Sequence, residues 1–154
     1  MRYELLEPAR NLDEALDTLT KVFAPLYTQS WVKEKAAAHE DAPFDMNVGV
    51  FANMWFSKAL KLIIAYDGEH PVGYLMGMVF RPLPYQAQVF QIEDWYADGK
   101  QDVADGLFNY AREAAKFLGT DEIWVSHSEK ELYPLLGGDW QITGKTVIDR
   151  YVRR

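Results

Sequence analysis

No cysteine occurs among the 154 residues, which excludes a disulfide framework, a thiolate nucleophile and a cysteine-based metal centre. Histidine is scarce as well. His39, His70 and His127 are scattered, none at i, i+4 or comparable ligand spacing, so no metal is expected. Long apolar runs are missing: none approaches the ~20 residues of a membrane-spanning helix, and Met1-Arg2-Tyr3-Glu4 does not open a signal peptide. Basic clusters are absent too. Lys58, Lys61, Arg150, Arg153 and Arg154 are too few for a nucleic-acid footprint, and the formal net charge of -7 disfavours a phosphate backbone as partner. The expectation is a soluble intracellular protein, cytoplasmic, engaging neither nucleic acid nor membrane.

What is present is an ordinary globular balance, 49% hydrophobic and 25% charged, with a high aromatic share of 14%. The length suits one domain with a sizeable core, here residues 1–154. Arg2 to Glu7 reads as a short strand stopped by Pro8. Asn11 with Glu14 reads as an N-cap and its reciprocal partner, opening an amphipathic helix with Leu12, Leu16, Leu19 and Phe23 on one face. Pro25 ends or kinks that helix, and a second helix is expected over Trp31 to His39. Phe44 to Phe56 is aromatic-rich with weak periodicity, a partly helical lid or loop. Its Phe44, Phe51, Trp55 and Phe56 serve either as core or as the lining of a substrate cleft or partner interface.

From Lys61 the period changes. Leu62 to Tyr66 is a buried-strand run, Asp67-Gly68-Glu69-His70-Pro71 carries turn chemistry, and Val72 to Phe80 and Gln86 to Tyr96 complete an antiparallel meander. A helix over Gln101 to Leu118 buries Val103, Leu107, Ala111, Ala114 and Leu118 and stops at Gly119. Glu122 to Val125 follows through a helical crossover and is therefore parallel to its predecessor. Two last strands are expected at Trp140 to Thr143 and Thr146 to Val152.

Three blocks in this order resemble the Gcn5-related N-acetyltransferase (GNAT) superfamily. Asp67 to Gly77 (DGEHPVGYLMG) is similar to the turn and strand before that family's cofactor motif. Ile92 to Asp98 (IEDWYAD) resembles its central strand, with Leu107-Phe108 standing for the paired apolar residues of its cofactor helix. Leu132 to Gly138 (LYPLLGG) resembles its late helix. The resemblance covers roughly the C-terminal half. It implies an α+β fold with a mixed, mostly antiparallel central sheet flanked by helices. It further implies acetyl-CoA as cofactor, an amine as acceptor, and the possibility of a homodimer.

By that resemblance Tyr133 is the general acid, Glu93 the base and Asp94 its alternate, since neighbouring strand residues face opposite sides. The cofactor would lie along Tyr96, Ala97, Gly99, Lys100, Gln101, Val103 and Ala104, with His127 at the end of the next strand. The chain departs from the family at one place. The family's glycine-rich turn lets backbone N–H groups approach a pyrophosphate; laid over Gly99 to Ala104, only Ala104 fits, and Asp102 takes the central glycine position. Like charges there repel by roughly 4 kcal/mol at ~4 Å if the effective dielectric is ~20, so cofactor binding is expected to be weak. Plain structural roles suit the same residues: a core tyrosine at Tyr133, edge carboxylates at Glu93 and Asp94, a favourable acidic first turn at Asp102. Ser126-His127-Ser128 suggests a nucleophile, but sequence neighbours do not make a triad. The rival to an enzyme is a non-catalytic binding protein on the same scaffold, such as a component of a phage particle (then virion-associated) or an acidic inhibitor of a host factor, with a protein partner.

Overall fold

A computed structural model describes residues 1–35, 44–82 and 86–127, together with Pro134, Trp140 and Gly144. Five strands form one sheet in the order β1-β2-β3-β4-β5. These are β1 (Arg2–Leu5), β2 (Leu60–Asp67), β3 (His70–Phe80), β4 (Val89–Tyr96) and β5 (Glu122–Val125). The first three ladders are antiparallel, and β4 with β5 is parallel. The sheet is thus mixed and mostly antiparallel, as the sequence implied. Apart from Trp140, the expected strands at 140–143 and 146–152 lie outside the described residues.

Helices cover both faces. On one lie α1 (Leu12–Val22), α2 (Ala24–Ser30), a π-helical stretch (Trp31–Lys35) continuing α2, and α3 (Val48–Phe56). On the other lies α4 (Gln101–Phe117). Strand alternation assigns β2 to both cores at once: Ile63 and Ala65 pack towards α4, while Leu62, Ile64 and Tyr66 pack towards α1–α3. Such a strand reads as a continuous apolar run, which is why β2 was plain in the sequence.

The N-terminal helices correct three expectations. Asn11 Oδ1 accepts from the Glu14 N–H at 2.8 Å, but the Glu14 carboxylate pairs with Arg10 at 2.9 Å and so does not complete a reciprocal capping box. The buried face of α1 runs through Ala15, Leu19 and Phe23, whereas Leu12 and Leu16 are exposed. The next helix starts at Ala24, because Pro25 sits in its first turn, where its missing N–H removes no hydrogen bond. Residues 36–39 of the expected second helix lie outside the described residues. α4 buries Val103, Leu107, Ala111 and Ala114 as its spacing predicted, and Gly119 stops it with φ of 71°. No helix among the described residues is long and apolar enough to cross a membrane.

Candidate active site

The site begins with a parting of strands. β4 and β5 pair from Val89↔Glu122 to Ile92↔Val125, and the Ser126 N–H still reaches the Ile92 carbonyl at 2.9 Å. Beyond that point β4 runs on to Tyr96 while β5 has ended. The β5-side edge of Glu93 to Tyr96 therefore faces no described strand. An opening outside the carboxyl ends of parallel strands is where sheets of this kind receive ligands.

At the same point β4 carries a bulge. Its register with β3 jumps from Met76↔Asp94 to Gly77↔Ile92, leaving Glu93 as the extra residue. The packing records the slip independently: Phe90 and Ile92 belong to the α4-side core, and so do Trp95 and Ala97, an odd step that strict alternation forbids. Gly77 permits this close approach, because a β-carbon there would stand 2.7 Å from the Gln91 carbonyl oxygen and 2.6 Å from the Phe90 ring. The bulge breaks the strict alternation on which the expectation that only one of Glu93 and Asp94 faces the cleft rests. The two carboxylates are electrostatic neighbours: burial pushes the Glu93 carboxyl above its usual range, and Asp94 adds to the shift.

Asp94 is held from the opposite core. The buried Tyr74 hydroxyl donates to Asp94 Oδ2 at 2.6 Å. Burial drives the Tyr74 phenol far above its ordinary pKa, with the Asp94 charge and hydrogen bond adding to the effect and a Ser30 hydrogen bond opposing it. Tyr74 thus remains a proton donor towards Asp94. The Tyr27 phenol is also raised, first by burial and then by Asp94.

The segment after β4 turns sharply, with Asp98 at φ 50° and Gly99 at φ 70°, and the Lys100 N–H closes onto the Ala97 carbonyl at 2.9 Å. Tyr96 and Ala97 are buried, so their side chains serve the core. Val103 is fully buried too and contributes only backbone to the start of α4. Gly99, Lys100, Gln101 and Asp102 are exposed, and Ala104 is half-buried. Lys100 occupies the N-cap without a side-chain hydrogen bond, so the first-turn N–H groups of α4 receive no side-chain oxygen from the cap. Asp102, exposed in that turn, experiences close to the solvent dielectric, not the partly buried value assumed above; repulsion at ~4 Å falls to about 1 kcal/mol. Asp98 Oδ1 accepts from Lys33 Nζ at 2.6 Å and from the Tyr96 hydroxyl at 3.0 Å, and these bonds, Lys33's first, hold its carboxyl below the usual range. Gly106, another glycine of this segment, is accounted for by packing, since the Tyr3 ring occupies the space a β-carbon would need.

His127 follows β5 by two residues and is exposed. Tyr133 lies outside the described residues. A pocket of about 300 Å³ on the α2–α3 side is walled by Phe44 and Phe51, two of the aromatics offered as cleft lining, and by Tyr27 and Trp31, which the sequence reading missed; Asp45 and Asn47 edge it. The Trp31 and Phe44 rings stack with centroids 5.2 Å apart, and Tyr27 meets Phe51 at 5.2 Å and Tyr74 at 6.1 Å. A signal existed: Phe23, Tyr27 and Trp31 recur every four residues and share one helix face. Of the aromatic segment, Trp55 belongs to the core, while Phe44 and Phe51 line this pocket.

The chain matches no protein-family model and none of the curated proteins. Solved structures do match over nearly its whole length. A probable acetyltransferase superposes with a TM-score of 0.64 at 17% identity, over 97% of this chain and 100% of the other. An aminoglycoside acetyltransferase, meta-AAC0020, from an uncultured soil metagenomic sample and solved with sisomicin, gives 0.60 at 14% identity over 94% and 96%. The aminoglycoside N-acetyltransferase AAC(6')-Iy in complex with CoA gives 0.56 at 11% identity over 84% and 81%. The fold is that of the GNAT superfamily.

Proposed function

We propose that the protein is an N-acetyltransferase that moves an acetyl group from acetyl-CoA to an amine. The observation that carries this reading is the bulge of β4 at Glu93, just where its described pairing with β5 ends and its edge meets no described strand. Likeness to acetyltransferases, one solved with CoA and one with an aminoglycoside, supports the same class.

The backbone fits the cofactor in two respects: β4 offers an edge with no strand partner among the described residues, and α4 begins without a side-chain cap. When bound, acetyl-CoA supplies the activated acyl group as a thioester. In the overall exchange the amine nitrogen bonds to the carbonyl carbon, the carbon–sulfur bond breaks, and the amine proton leaves. Glu93 is the base that takes this proton, directly or through water. Its raised pKa brings it nearer the range in which a carboxylate accepts protons effectively. Asp94, fixed by Tyr74, adds negative charge that draws an ammonium to the site and helps raise the Glu93 pKa. Gly99, Gln101 and Val103 would hold the pyrophosphate through backbone N–H groups, while Lys100 and Ala104, whose own N–H groups bond the Ala97 and Lys100 carbonyls, would lie beside it with Tyr96, Ala97 and His127. Tyr133 is assigned, by resemblance alone, to protonate the leaving thiolate.

The test is direct. Purified protein, acetyl-CoA and a panel of amines are followed by mass spectrometry for a single acetyl addition. Glu93→Gln is expected to lower kcat by about 10²–10⁴-fold with the fold intact. A Gln variant as active as the parent would end Glu93's assignment. A second reading rests on a specific observation, the Asp102 carboxylate in the first turn of α4. On it, the scaffold binds a protein partner without catalysis, and no amine is acetylated.

A further inference from the structure

The pocket beside Tyr27 is not needed to hold or activate the amine at Glu93, yet it lies one ring away. Tyr27 lines it and packs against Tyr74 at 6.1 Å, and Tyr74 donates to Asp94 at 2.6 Å. Its walls are aromatic, its edge bears the Asp45 carboxylate and the Asn47 amide, and among the described residues no lysine or arginine lines it. Lys33, on the same π-helical stretch as Trp31, is turned to Asp98 instead. Asp45 forms no ion pair with the described residues. Aromatic faces and a carboxylate without cations favour a positively charged group and repel a carboxylate or phosphate. A volume of about 300 Å³ admits a small group, not a large scaffold.

We infer that this pocket is a cation subsite, and that the acceptor is a small organic dication: one amine reacts at Glu93 while a second ammonium, or a quaternary ammonium, sits among Tyr27, Trp31, Phe44 and Asp45. The acceptor's role rests on the acetyltransferase reading. The cation subsite stands on the pocket alone, so the two are tested separately.

Calorimetric titration of the whole chain with choline, and with its uncharged isostere 3,3-dimethylbutan-1-ol, reads the subsite without any acetyl transfer. Choline is expected to bind at least about tenfold more tightly than the alcohol. Asp45→Asn and Phe44→Leu are each expected to weaken choline by about three- to tenfold without moving the melting temperature. Equal affinity for the two ligands, or no binding of either, overturns the inference. With acetyl-CoA present, cadaverine is then compared with pentylamine. A kcat/KM at least about tenfold higher for the diamine, with choline inhibiting competitively, is the expected result. Choline binding with no amine acetylated ends the acetyltransferase reading and leaves the cation subsite standing. Equal kcat/KM for the diamine and the monoamine keeps the transferase and overturns the subsite's part in acceptor choice.

Discussion

The two flanks of the β4 end carry the same sign of charge with opposite consequences. On the α2–α3 flank, Asp94 and Asp45 stand among aromatic rings, where negative charge attracts an ammonium. On the α4 flank, Asp102 stands exposed in the first turn of a helix whose N–H groups would otherwise welcome phosphate. The same charge that would favour an amine acceptor on one flank would thus disfavour a polyanionic cofactor on the other. Each flank has a carboxylate bonded by a buried phenol: Asp94 accepts from Tyr74 at 2.6 Å, and Asp98 accepts from Tyr96 at 3.0 Å and also from the exposed Lys33.

The largest expected effect lies where the flanks meet. Activity should rise with pH as Glu93 loses its proton, through a pKa above the usual carboxylate range, and then level off. Glu93→Gln should abolish that limb of the profile. Because the folded pKa is raised, stability from this group is present below the unfolded pKa and is lost as pH rises through the folded value. Glu93→Gln should therefore be at least as stable as the parent at neutral pH. A loss of stability there would mean that the carboxylate is held by partners that favour its charge.

Tyr74→Phe comes next. It leaves Asp94 without its 2.6 Å donor and should cost about 1–3 kcal/mol in denaturant unfolding, with acceptor KM raised and acetyl-CoA affinity unchanged. A cofactor defect in this variant would erase the distinction between flanks. Asp102→Asn should act on the other flank alone, tightening CoA by about fivefold at low salt, with the gain fading as salt is added. No change in CoA affinity would place the pyrophosphate elsewhere. Smallest of all, Lys33→Met breaks an exposed ion pair with Asp98 and should leave the melting temperature unchanged within error; a drop of several degrees would show the cofactor turn to be more tightly braced than its exposure indicates.

The strands and α4 were legible because their signals are local. β2 buries both faces and reads as one apolar run, and α4 repeats Val103, Leu107, Ala111 and Ala114 at helical spacing before Gly119. The bulge at Glu93 was not legible, because it depends on the register of β3 against β4 and on Gly77 opposite, long-range facts that the sequence does not state. Strict alternation then assigned Glu93 and Asp94 to opposite faces. The face of α1 was misread for a related reason: Leu12 and Leu16 keep helical spacing but lie on the solvent side of Ala15 and Leu19, and the smaller Ala15 proved to be the buried one. The aromatic pocket joins Tyr27 and Trp31 to Phe44 and Phe51 across separate elements, and only tertiary packing brings them together.

The central claim is that the parted end of β4 holds an acyl-CoA. Calorimetric titration of the purified chain with acetyl-CoA tests it most directly. The account predicts saturable binding at one site with micromolar affinity, about -8 kcal/mol, despite the exposed Asp102. No heat of binding up to millimolar acetyl-CoA would contradict it.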